Sequence, residues 1–273
     1  MTMMPRSQAD AYRCPVADTP VAKTLIIASV QRSGSTLLSS LLRATGVAGR
    51  PMEMMNIHTK LFTDTRARLG VPTLSPLGYG AAAFRKVARR DMPRNIRHFT
   101  HESYLEFLRR ITPEHTTANG VFAMKIHWTQ YRDNLLKRGD DAGFWRAPVT
   151  WVSIKRDNDV RQAISFVKAQ QTNRWHSDMS SRSEATYDES AIADALSEIR
   201  GNYTDWDEYF ADIGVEPVRL TYESLVADPQ HAIDMVLDAL GEPRVHVPPP
   251  TMRPVSDATN DDWERRFRSA GRA

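Results

Sequence analysis

Residues 24–55, TLIIASVQRSGSTLLSSLLRATGVAGRPMEMM, restrict the fold more than any other stretch of the chain. The apolar run from Leu25 to Ala28 reads as a short buried strand, and Leu37, Leu38, Leu41 and Leu42 share one face of the helix that follows. Gly46 stands where that helix has to stop. Between strand and helix lies a turn built on Arg32, Ser33, Gly34 and Ser35. A strand, a small-residue turn and a helix start together make an anion cradle. Glycine lets the backbone approach an oxyanion, the unbonded N–H groups of the first helical turn point at it, and the helix dipole favours negative charge. Ser35 and Thr36 add hydroxyl donors, and Arg32 adds a planar cation suited to phosphate or sulfate.

What the turn lacks is equally informative. A nucleoside-triphosphatase loop, GxxxxGK[ST], supplies a lysine to the β- and γ-phosphates and a hydroxyl to magnesium. The six residues from Gln31 to Thr36 hold one glycine and no lysine, which argues against a triphosphate cradle. The GxGxxG fingerprint of dinucleotide sites is absent as well.

The rest of the chain alternates strands and helices. VFAMKIHW at 121–128, VTWVSIK at 149–155 and EPVRLTY at 216–222 read as strands, with helices at about 160–175, 190–212 and 229–240. Ile192, Leu196, Ile199, Tyr203, Trp206 and Phe210 recur at helical spacing in the second helix; Ala232, Val236, Ala239 and Leu240 do so in the third, which Gly241 ends. This order implies an α/β fold with a central parallel sheet flanked by helices, whose ligands collect at the C-terminal strand ends. Arg156 closes the strand ending at Lys155, and Asn158 or Asp159 can cap the helix that carries Ser165. In the strand FAMKIHW, Lys125 and His127 share a face because side chains alternate.

Composition bounds the class. With 273 residues and 41% hydrophobic content the chain can bury the core of one α/β domain. Residues 1–22 are expected to be a loose tail, and 23–273 a single domain with a variable, mostly helical insert at about 57–118. No apolar run approaches the roughly 20 residues of a membrane span, so no stable membrane insertion is expected. The single cysteine, Cys14, rules out an intramolecular disulfide and suits a reducing cytoplasm. The net charge of +3 fits anionic ligands without calling for nucleic acid. No His, Cys or carboxylate spacing suggests a metal site.

QRSGSTLL after a first strand resembles the 5′-phosphosulfate loop of sulfotransferases that use 3′-phosphoadenosine 5′-phosphosulfate (PAPS). The longer pattern is similar to the trehalose 2-sulfotransferase family of mycobacteria. It comprises LRATGVAG with Pro51 and Glu53, GVFAMKIHWTQ at 120–130, KRDNDVRQAISFVKAQQTNRW at 155–175, LTYESLVADPQHAIDMVLDALG at 220–241 and DDWERRFR at 261–268. The match spans about 24–268 and is poorest over 57–118. It implies a P-loop-like sulfotransferase fold and in-line transfer of a sulfuryl group from PAPS to a hydroxyl of a carbohydrate, glycolipid or glycosylated metabolite. It also implies a homodimer.

The resemblance assigns roles residue by residue. Gln31, Arg32, Ser33, Gly34, Ser35 and Thr36 would hold the 5′-phosphosulfate, with Arg32 meeting the leaving-group charge. Arg156 and Ser165 would hold the 3′-phosphate, and Tyr222 would lie near the adenine. Glu53 matches the family's acceptor-side glutamate and is the favoured base. His127 is the other candidate, because Lys-x-His resembles the cytosolic sulfotransferases, in which that histidine is the base and the lysine, here Lys125, assists. The trehalose enzymes carry an apolar residue at the position of His127, an acidic one at Arg50 and aromatics at Met54 and Met55, so the resemblance implies sulfonation of a hydroxyl without fixing trehalose as the acceptor. Trp128 and Trp175 could stack on a sugar, and His127 could bind the acceptor. The basic run of Arg85, Lys86, Arg89, Arg90, Arg94 and Arg97 is either a solvated helix face or an attractor for an anionic acceptor or a membrane headgroup. A nucleotide or small-molecule kinase and a catalytically silent nucleotide-binding protein are the alternatives.

Overall fold

The structure, a computed structural model, describes residues 21–57, 59–71, 101–138, 147–175, 184–249 and 258–271. Cys14, the N-terminal tail and the basic run from Arg85 to Arg97 lie outside the described residues. Four strands, β1 (Lys23–Ser29), β2 (Val121–His127), β3 (Val149–Lys155) and β4 (Val218–Thr221), pair in the order β2-β1-β3-β4, every pairing parallel. The described helices are α1 (Ser35–Thr45), α2 (Lys60–Arg68), α3 (His101–Ile111), α4 (Trp128–Asn134), α5 (Asp159–Thr172), α6 (Glu189–Asp212), α7 (Tyr222–Ala227), α8 (Pro229–Leu240) and α9 (Ala258–Ser269). The sheet is parallel and covered on both faces, as its near-continuous apolar strands require.

Strand alternation sorts the core into two layers. Leu25 and Ile27 of β1, Val121 and Ala123 of β2, and Val152 and Ile154 of β3 pack with Leu38, Leu41 and Leu42 of α1 and Ile233, Val236 and Leu237 of α8. The opposite row, with Ile26, Ala28, Phe122, Met124, Ile126 and Trp151, meets α3, α4, α5 and α6 in a larger cluster. Its centre is aromatic: Trp206 stacks on Phe210 at 5.5 Å between centroids and meets Trp128 edge-on at 4.9 Å. The Tyr131 and Tyr209 hydroxyls, buried here, are 2.5 Å apart.

Element ends follow local chemistry. β4 is shorter than its apolar pattern because Thr221 caps α7, its hydroxyl accepting the Ser224 N–H at 3.0 Å, so Tyr222 is already helical. α5 ends at Thr172, before the expected 175, because Asn173 turns left-handed at φ 53°. In α8 the apolar face is completed by Ile233 and Leu237, whereas Ala239 faces solvent.

Candidate active site

The face of the sheet toward α1 changes character at its C-terminal end. Along β1 the row Leu25, Ile27 is continued by Ser29, and along β2 the row Val121, Ala123 is continued by Lys125 and His127. Past β3 the row Val152, Ile154 leads to Arg156. Each strand therefore delivers polar groups to one edge, beside the N-terminus of α1.

The turn between β1 and α1 is held in an unusual backbone shape. Arg32 has φ 65° and Gly34 φ 91°. A left-handed arginine costs about 1–2 kcal/mol, so the surroundings have to hold it. The Ser33 N–H bonds Val30 O at 3.2 Å, and Gln162 of α5 donates to Gln31 O at 2.7 Å. Gln162 is fully buried and accepts in turn from the Tyr203 hydroxyl at 3.0 Å. Gly34 is sterically required, because a Cβ there would lie 2.5 Å from Cδ2 of Tyr222. The tyrosine ring thus rests directly on the loop backbone.

The cations gather around that ring. Arg156 lies over Tyr222 with its guanidinium carbon 4.8 Å from the centroid. Its buried Nε has no hydrogen-bond partner among the described residues, and the nearest Glu223 oxygen is 3.8 Å away. Arg32 runs along α5, donating from Nε to Ser165 Oγ at 2.9 Å and from a terminal nitrogen to Trp175 O at 2.5 Å. Burial first, and then the neighbouring Arg156 charge, push the Arg32 guanidinium below its ordinary value. Ser165 therefore meets Arg32 here, whereas the resemblance paired it with Arg156.

Glu53 reaches the site through a close approach of backbones. At Gly49, with φ 73°, a Cβ would lie 2.4 Å from Cβ of Ala123, so only glycine lets the chain press against β2. The segment then runs beside β2: the Lys125 N–H donates to Met52 O at 3.0 Å, and Glu53 bridges to Lys125. Four donors surround the Glu53 carboxylate. Asn56 and Gln130 donate to Oε1, both at 2.8 Å; Lys125 Nζ lies 2.8 Å and His127 Nε2 3.3 Å from Oε2. Burial works to raise this carboxyl, but the charges and hydrogen bonds of His127 and Lys125 hold it well below its ordinary value. Lys125 Nζ also donates to Thr36 Oγ1 at 3.2 Å, linking the carboxylate to the anion loop.

One expectation needs correction. Trp128 is only 6% exposed and is packed against Trp206, Tyr131 and Tyr209, so it presents no open face to a sugar. As the first residue of α4, it turns into the larger aromatic cluster. Trp175 stays beside the site, half-buried against Phe166, with its carbonyl on Arg32. Sequence reasoning missed Ser29, Asn56, Gln130 and Gln162. Only Ser29 carried a signal, the alternation that continues Leu25 and Ile27. Beside the Glu53 segment lies a cavity of about 370 Å³ with a mixed lining, Met52, Met54, Phe62, Phe107 and Ile111 meeting Glu53, Thr65, Arg68, Glu114 and His115. Among the described residues no helix is long and apolar enough to cross a membrane, and no group of three or more His, Cys, Asp or Glu is placed to hold a metal.

Known proteins are similar to this chain over most of its length. The Stf0 sulphotransferase family matches residues 24–270. The trehalose 2-sulfotransferase of Mycolicibacterium smegmatis is 31% identical, over 93% of this chain and 96% of its own. That of Mycobacterium tuberculosis is 28% identical, over 89% and 94%. A solved sulfotransferase domain from the Synechococcus PCC 7002 olefin synthase superposes with a TM-score of 0.45 at 16% identity, covering 94% of this chain and 91% of that one. With its matched loop, its Glu53 segment and its Arg156 element all inside the span 24–270, this chain belongs to the Stf0 sulphotransferase family.

Proposed function

We propose that the protein transfers the sulfuryl group of PAPS to a hydroxyl of a carbohydrate, glycolipid or glycosylated metabolite. The observation that carries this reading is the pair of guanidiniums, Arg32 and Arg156, gathered at the start of α1 with the Arg156 Nε buried and unpartnered among the described residues. A buried donor of this kind calls for an acceptor, and PAPS offers anionic oxygens at both ends of the nucleoside. The 5′-phosphosulfate would lie on the Arg32–Thr36 loop and the α1 N-terminus, the 3′-phosphate at Arg156, and the adenine near Tyr222.

In the transfer the acceptor oxygen bonds to sulfur while the bond from sulfur to the 5′-phosphate oxygen breaks, releasing adenosine 3′,5′-bisphosphate. Arg32 and Lys125 meet the charge that grows on the leaving oxygen. Glu53 takes the hydroxyl proton. A carboxyl held this low is ionised in neutral solution, and the hydroxyl becomes strongly acidic as its oxygen bonds to sulfur, so a weak base suffices. Transfer needs no metal in this scheme.

Calorimetric titration with adenosine 3′,5′-bisphosphate, ADP and ATP, with and without magnesium, tests the donor. Magnesium-independent preference for the bisphosphate is the expected result, followed by label transfer from radiolabelled PAPS to glycosides and glycolipids. A preference for magnesium–ATP would overturn the reading in favour of a kinase. Nucleotide binding without transfer to any glycoside or glycolipid would favour a silent binding protein.

A further inference from the structure

Ser29 is 1% exposed, pairs in register with His127, and places Oγ 3.0 Å from His127 Nδ1 and 3.1 Å from Ile126 O. A hydroxyl has one proton and can give it to only one of these acceptors at a time. Two arrangements satisfy the ring nitrogens. With a charged ring, Nδ1–H donates to Oγ and the hydroxyl donates to Ile126 O. With a neutral ring, the hydroxyl turns to donate to Nδ1, and the remaining ring proton sits on Nε2, which lies 3.3 Å from Glu53 Oε2. The other neutral form would aim a nitrogen lone pair at a carboxylate oxygen and is disfavoured by repulsion.

We propose that Ser29 is a positioning residue for the transfer reaction, turning its hydroxyl so that the Nε2–H of His127 stays aimed at Glu53 whichever charge the ring carries. The inference rests on the role given to Glu53 above. The charged groups facing the ring are Glu53 from the segment beside β2 and Lys125 from β2 itself; Ser29 of β1 is neutral, and so is Gln130 of α4, which accepts the His127 backbone N–H and closes a capping box on the His127 side chain. His127 is 6% exposed, so solvent cannot substitute for the hydroxyl. Glu53 keeps a steady donor on Oε2 while it takes up the acceptor proton, and it does not drift from its position beside Lys125.

The test compares Ser29→Ala and Ser29→Thr in the parent and in a His127→Phe background. Ser29→Ala is expected to lower kcat about tenfold, the scale of one buried ring nitrogen left without its partner. KM for PAPS and affinity for adenosine 3′,5′-bisphosphate should not change. Ser29→Thr keeps the hydroxyl and should recover most of the loss. In the His127→Phe background Ser29→Ala should cost nothing further. An unchanged kcat in Ser29→Ala, or an equal loss in both backgrounds, would overturn the proposal. Nitrogen-15 spectra of His127 give a readout independent of activity: the neutral ring should carry its proton on Nε2 in the parent, and the Nδ1 signal should move in Ser29→Ala toward that of a nitrogen without a hydrogen-bond donor. A neutral ring protonated on Nδ1 in the parent would refute it. Should the parent transfer sulfuryl groups to no acceptor, the functional reading fails, and the spectra still decide the role of Ser29.

Discussion

Replacing Gly34 by alanine perturbs the site in two separable ways. Its φ of 91° lies where a side chain is strained, which costs about 1–2 kcal/mol. The new Cβ also meets Tyr222 Cδ2 at 2.5 Å, so the ring has to retreat by roughly 1 Å to reach ordinary carbon contact. Overpacking of this kind typically adds about 1–3 kcal/mol. The sum is a loss of about 2–5 kcal/mol in folding stability, read from the urea midpoint at constant slope. Binding suffers as well, because Arg156 rides on the displaced ring 4.8 Å from its centroid. Affinity for adenosine 3′,5′-bisphosphate should fall more than ADP affinity. The Gly34→Ala/Tyr222→Ala pair isolates the clash: with the ring gone, only the backbone part should remain. The two changes should then couple by about 1–3 kcal/mol, well above the roughly 0.5 kcal/mol scatter of independent sites. Additive losses would refute the claim that the tyrosine ring is seated on the loop.

Glu53→Gln should reduce the transfer rate by about 10²–10⁴-fold with bisphosphate affinity preserved, measured by single-turnover label transfer. Arg156→Ala should remove about 1.5–3 kcal/mol of bisphosphate affinity and leave ADP affinity almost untouched, because only the 3′-phosphate loses its donor. Trp128→Phe should cost about 1–3 kcal/mol in denaturation, as a large core side chain shrinks, with KM for the acceptor unchanged. Acid unfolding carries a sign set by Glu53. Its folded carboxyl titrates well below the ordinary 4.5, so it stabilises the fold above that pH and loses this contribution as pH falls through the folded value. The stability gap between parent and Glu53→Gln should therefore narrow as pH drops below 4.5, tracked by urea midpoints across that range.

The strand–turn–helix unit was legible because every feature of it is local. An apolar run makes β1, leucines at helical spacing make α1, and Gly34 and Gly46 punctuate them. Lys125 and His127 were legible from alternation alone, and alternation also holds Ser29, which ends its strand one residue before the turn. Glu53 was a different case. Nothing local says that a carboxylate after Pro51 enters the site; a left-handed Gly49 pressed onto Ala123 brings it there, and that contact crosses more than seventy positions of sequence. Gln162 and Gln130 were invisible for the same reason, since an amide on a helix looks alike whether it faces solvent or a buried carbonyl. Trp128 misled because an indole suits a sugar and a core equally. Its place at the start of α4, packed edge-on against Trp206, decides for the core.

The charge balance of the site argues for an anionic ligand more directly than any single residue does. Lys125 has a carboxylate at 2.8 Å, yet Arg32 is satisfied only by a serine oxygen and a peptide carbonyl, with no carboxylate partner among the described residues. Arg156 is barely better placed, with its closest carboxylate oxygen at 3.8 Å. Two largely buried guanidiniums close enough to depress one of them are an expensive arrangement, and the loop adds a left-handed arginine to the cost. A chain selected for stability alone would relieve this with an acidic side chain. The site instead gathers hydroxyls, the α1 N-terminus and both arginines, and it is tied through Lys125 and Thr36 to the Glu53 carboxylate, which is held ionised. The missing negative charge is one that an anionic ligand would bring.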